Sequence, residues 1–153
     1  MSNYKNFKEP ICIDFADIAG YQFSNDCITN GMISKMLIYG KNATGKTNLG
    51  RAIMDIHYMM RYNLGVMNDI EPLNADSNLD YSSFSYTFRF QDEEVLYRYE
   101  KYANQKLKYE ELIINNVSIF QCMYDDCKFV FDNLKLIKAE TANTERYVLN
   151  LKL

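Results

Sequence analysis

Residues 36–56 read MLIYGKNATGKTNLGRAIMDI, and the interpretation of this stretch decides the fold expected for the whole chain. Gly40, Gly45, Lys46 and Thr47 fit the spacing G-x-x-x-x-G-K-[ST] without a mismatch. Each residue type has a physical job in that pattern. Glycines let the backbone turn so that consecutive N–H groups converge on an anion, and a helix starting there adds the positive end of its dipole. Lys46 then reaches the β- and γ-phosphates of a nucleotide, and Thr47 offers the hydroxyl oxygen that Mg2+ takes as a ligand. The candidate loop is Gly40, Lys41, Asn42, Ala43, Thr44, Gly45, Lys46, Thr47 and Asn48, and the expected ligand is ATP with Mg2+.

The flanks supply the context that the motif requires. Met36, Leu37, Ile38 and Tyr39 form a short apolar run that predicts a buried strand ending at the first glycine. Downstream, Leu49, Ala52, Ile53, Ile56, Met59 and Met60 recur at helical spacing, while Asn48, Arg51, Asp55, Tyr58 and Arg61 take the other face. Strand, loop and helix are thus expected over residues 35–62, in that order.

The string GKNATGKTNLGRAI, with Asn42 inside the loop and Asn48-Leu49 after the Lys-Thr pair, resembles the phosphate loop of ABC-type ATPases of the RecF/SMC-like group. OLD-like bacterial ATPases, several of which serve in defence against phage, are close in flavour. Ala43-Thr44 stand where that group often has Gly-Ser or Gly-Ala, and its glycine after Asn42 is missing. The resemblance implies an α/β P-loop NTPase, the first lobe of an ABC-ATPase-like head with an antiparallel β-meander after the P-loop helix. It also implies a parent protein that hydrolyses ATP as two heads close around nucleotide, in a homodimer, to act on nucleic acid or an effector protein. The group opens with a strand followed by Asn-Phe-Lys or Asn-Phe-Arg. Asn6, Phe7 and Lys8 stand at that place, which makes Lys8 an additional candidate nucleotide contact.

Such an ATPase also needs a Ser-Gly-Gly-like signature and an apolar strand ending in Asp-Glu. No signature is visible, and the apolar run Phe129-Val130-Phe131-Asp132 is followed by Asn133 and reads as a hairpin strand. No catalytic residue is identifiable. The last residues, YVLNLKL at 147–153, read as the middle of an element, so the expectation is an N-terminal lobe whose C-terminal partner lobe lies elsewhere in a longer protein. The alternative is a catalytically incomplete, nucleotide-responsive module that docks on a partner protein through an exposed sheet.

Composition sets the outer bounds. With 153 residues, 48% hydrophobic and 14% aromatic, the chain can form one domain with a real core and is not of disordered type. A net charge of −3 gives no overall basic field for nucleic acid, though a local patch stays open. Cys12, Cys27, Cys122 and Cys127 lack the paired spacing of a structural zinc site. Cys122 and Cys127 read as semi-buried thiols on a hairpin. No apolar leader follows Ser2, Asn3 and Tyr4, and no stretch reaches the roughly 18 apolar residues of a membrane span. A cytoplasmic protein with reduced thiols and no membrane partner is expected.

Along the remainder, residues 4–15 suggest two short strand segments around Pro10, residues 17–35 a polar connection, and residues 63–80 a long loop. From 82 to 132 the period changes to two. Phe84, Tyr86, Phe88 and Phe90 alternate with polar residues, and similar runs at 95–100, 107–114, 117–123 and 127–131 predict about five antiparallel strands. The abundant tyrosines could stack on single-stranded nucleic acid, but alternating aromatics on strands more simply form a face that packs on a core.

Overall fold

A computed structural model describes residues 1–20, 23, 25–60 and 73–134. In chain order, a 3-10 turn at Asn25–Cys27 leads into β1 (Ile28–Thr29) and β2 (Met32–Ile33), and helix α1 spans Lys46–Met60. Five strands follow: β3 (Tyr81–Phe90), β4 (Glu93–Tyr102), β5 (Leu107–Ile114), β6 (Val117–Met123) and β7 (Lys128–Val130). β1 pairs with β2, and β3 to β7 pair in sequence order, every pair antiparallel.

The hairpins follow from local chemistry. Asn115 and Asn116 join β5 to β6 with both residues at positive φ (48° and 64°), a conformation that suits a two-residue turn and that asparagine tolerates. Asn30 and Gly31 do the same between β1 and β2, at 52° and 75°. On β3, alternation puts Phe84, Tyr86, Phe88 and Phe90 in one row of stacked rings whose neighbouring centroids lie 6.1–6.4 Å apart. The register sets Phe84 opposite Tyr99, Tyr99 opposite Glu110, Glu110 opposite Cys122 and Cys122 opposite Phe129, so one row of side chains crosses the whole sheet on a single face.

That face carries the core and receives α1. Tyr4, Ala52, Phe84, Tyr97, Tyr99, Ile119, Phe120 and Cys122 are buried together. Tyr97 and Tyr99 of β4 therefore pack inward, and their hydroxyls find partners. Tyr97 donates to Glu110 Oε1 at 2.5 Å, and Tyr99 donates to Asp55 Oδ2 on α1. Tyr124 completes the Glu110 group with a 2.9 Å bond to Oε2.

The fold class differs from the α/β P-loop NTPase expected. Among the described residues there is one α-helix and no parallel strand pair. Met36, Leu37, Ile38 and Tyr39 belong to no strand, and Leu37 and Tyr39 are 85% and 88% exposed. The physical reason is that a strand preceding the loop is buried only if crossover connections bring parallel neighbours to both its sides. The described strands are instead joined by tight turns, which enforce antiparallel pairing, and α1 packs on the meander rather than back on residues 36–39. An ABC-ATPase-like first lobe is therefore not the architecture seen. Neither strand segment expected around Pro10 is present either: within 4–15 the only bridge joins Tyr4 to Phe7, and just before it Ser2 bridges Ser83. Residues 61–62 of the expected helix, 63–72 of the expected loop and 147–153 lie outside the described residues.

Candidate phosphate loop

Residues 40–45 form an irregular turn that delivers the chain into α1, whose first residue is Lys46. Two backbone positions define its shape. Gly45 has φ of 95°, a region that L side chains avoid, and Ala43 sits in the left-handed region at 63°. Gly40, Lys41, Asn42, Ala43, Thr44 and Thr47 are exposed, while Gly45, Lys46 and Asn48 are half-buried.

The lysine is drawn into the turn. Lys46 Nζ donates to the carbonyl oxygens of Gly40 and Lys41, both at 2.7 Å. Thr44 Oγ1 donates to the Lys41 carbonyl at 2.9 Å, and the Leu49 amide to the Gly45 carbonyl at 2.8 Å. A cation thus occupies the mouth of a loop that wraps the start of a 15-residue helix with no acidic residue in its first turn. Dipole and ammonium both favour an anion there.

Beneath this exposed end, α1 is pinned to the sheet by polar contacts inside the core. Lys101 Nζ bonds both Asp55 oxygens, at 2.6 and 2.8 Å, with the two side chains only 4% and 7% exposed. Tyr86 donates to the Ala52 carbonyl at 2.7 Å. Burial pushes the Tyr86 and Tyr99 phenols above their ordinary range, and the Asp55 charge adds to it.

Helical spacing puts Asp55 on the solvent face with Arg51, whereas the structure buries it. The signal was present, since Asp55 is three residues beyond Ala52 and adjacent to Ile56, inside the apolar stripe. Lys101 likewise continues the inward parity of Tyr97 and Tyr99, which predicts a buried lysine and hence a buried acid. Of the triplet Asn6-Phe7-Lys8, the contact with the loop is made by Asn6, whose Oδ1 accepts a 2.8 Å bond from Asn48 Nδ2, and Lys8 is exposed.

Four free thiols are spread over the fold, Cys122 fully buried and pushed up to about 12 by that burial, Cys127 exposed at the following turn. Among the described residues, no group of three His, Cys, Asp or Glu side chains could hold a metal ion, and no helix is long and apolar enough to cross a membrane. No family model, curated protein or solved structure matches the chain.

Proposed function

We propose that residues 40–48 bind the triphosphate of ATP in the cytoplasm. The observation that carries this reading is the Lys46 ammonium, held by two loop carbonyls at the N-terminus of α1, where incoming phosphate oxygens can replace those carbonyls as acceptors. Thr47, exposed on the first turn, would hold Mg2+ through its hydroxyl oxygen. A single protein oxygen suits this ion, which keeps most of its ligands as water and phosphate. In the Mg2+ complex, the ion's contribution is to neutralise phosphate charge. The resemblance of the loop to RecF/SMC-like ATPases points the bound nucleotide toward work on nucleic acid or an effector protein.

Transfer of a phosphoryl group to water also needs a group that positions the water and dipoles that stabilise the developing charge. Asp55, the one acidic residue of α1, is engaged in the core by Lys101 and Tyr99. An apolar run at residues 36–39, exposed and leading into Gly40, favours the second reading, a nucleotide-responsive interaction module. Calorimetric titration of the wild type and Lys46→Ala with Mg-ATP tests the binding. Loss of the ammonium is expected to weaken it by about 1.5–3 kcal/mol, the range of a charge-assisted hydrogen bond. Equal binding by the two proteins, or none by either, would sink the proposal. Phosphate release by the wild type is expected to be no faster than by the variant. Lys46-dependent release would place the catalytic groups within this chain.

A further inference from the structure

Asn6 stands at the tip of a small N-terminal turn whose other residues are locked into the core. Tyr4 and Phe7 exchange both of their backbone hydrogen bonds, each at 2.9 Å, around Lys5 in the left-handed region at 49°. Asn3 is almost fully buried and donates through Nδ2 to the carbonyls of Tyr81 and Leu79, at 2.6 and 3.2 Å. Asn74 Nδ2 holds the Lys5 carbonyl at 2.6 Å, and the buried Tyr4 ring meets Phe84 edge-on at 5.4 Å. The backbone under Asn6 is therefore fixed by β3, the strand on which α1 also docks, although the Asn6 side chain is exposed.

Its carboxamide lies directly against the loop. A Cβ built on Gly45 would fall 2.1 Å from Asn6 Nδ2 and 3.0 Å from Oδ1, and Oδ1 is the atom that accepts from Asn48. A side chain at position 45 would thus be strained by its φ and would have to push the Asn6 amide off the loop.

We infer that Asn6 is a positioning residue for the phosphate loop. It holds Gly45 and Asn48, the residues on either side of Lys46 and Thr47, in one fixed relation, so that the first N–H groups of α1 face the anion before it arrives. Order present beforehand need not be created on binding, which strengthens it. The inference rests on the reading of residues 40–48 as a phosphate site and names the residue that shapes it.

The test compares the full chain with Asn6→Ala, Asn48→Ala and the double variant, in two measurements. Without nucleotide, amide hydrogen exchange at residues 45–47 is expected to quicken in each single variant, with no further gain in the double and no change across β3 to β6. With Mg-ATP, each single variant is expected to bind about five- to tenfold more weakly, the size of one modest hydrogen bond, and the double no worse than either. Exchange and affinity unchanged in Asn6→Ala would overturn the clamp and leave the phosphate site standing. Exchange quickened throughout α1 and the sheet would mark a folding role and overturn it too. Absence of Lys46-dependent binding in the wild type would overturn the phosphate reading itself and the clamp with it.

Discussion

Asp55 and Lys101 show how a single pair can carry the docking of a helix. Both charges are out of water, and the carboxylate is satisfied by Lys101 on both oxygens and by Tyr99 on one. Removing only the lysine leaves a buried charge without its partner. Lys101→Met is therefore expected to cost about 3–5 kcal/mol in urea unfolding, while the joint change Asp55→Leu with Lys101→Met regains most of it. In that double variant Tyr99 still has the Tyr86 hydroxyl, 3.4 Å away in the wild type. Equal losses in the single and double variants would mean that packing, and not the stranded charge, sets the cost. Glu110 is a second buried acid, and its carboxyl is raised by burial, with bonds from Tyr97 and Tyr124 opposing. A carboxyl whose folded pKa exceeds the unfolded value near 4.5 binds its proton more tightly when folded. The stability this adds is complete below the unfolded value and is lost as pH rises through the folded one. Against Glu110→Gln, the wild type should lose ground from about pH 4 upward, read by urea unfolding at a series of pH values. A flat difference would show that the carboxyl titrates alike in both states.

At the scale of elements, the strands were readable and the segment before the loop was not. Phe84 to Phe88 and Tyr97 to Lys101 alternate in inward and outward residues, with Phe90 at the exposed end of the same row, and a period of two leaves few other structures for them. The β1–β2 hairpin falls within residues 17–35, which read as a polar connection: Asn30-Gly31 favours positive φ at both turn positions, but strands of two residues each carry no period to notice. Met36 to Tyr39 failed for another reason. A run of four apolar residues states that burial would be favourable and is silent on which strands would cover it. With Leu37 and Tyr39 exposed, Leu37→Ser and Tyr39→Ser are each expected to change stability by less than about 0.5 kcal/mol, against about 3–5 kcal/mol for Phe84→Ala in the core. Thermal or urea unfolding separates these, and a large loss at Leu37 would mean that the run is covered in solution. The glycine turn ahead of α1 was legible because its chemistry is local: Gly45 stands at φ 95°, and the lysine after it reaches back to the carbonyls of Gly40 and Lys41. Asn6 was not, since what it does depends on a fold that brings residue 6 to residue 45.

At the largest scale, the described residues form a meander with one helix laid on its inner face and an N-terminal turn stitched to its first long strand, β3. Each strand of the meander pairs with its neighbour in sequence, whereas Asp55 reaches Lys101 across 46 residues. That difference in span has a consequence in time. Short loops close at little entropic cost, so the hairpins can zip before the helix arrives, and the long-range ion pair belongs to a late step. Lys101→Met is accordingly expected to speed unfolding in stopped-flow experiments and to leave the refolding limb nearly unchanged. A slowed refolding limb would put helix docking inside the rate-limiting barrier. On this order of events the turn around Lys46 is among the last of the described parts to take shape, and a molecule caught early in folding would own its sheet before it presented that lysine.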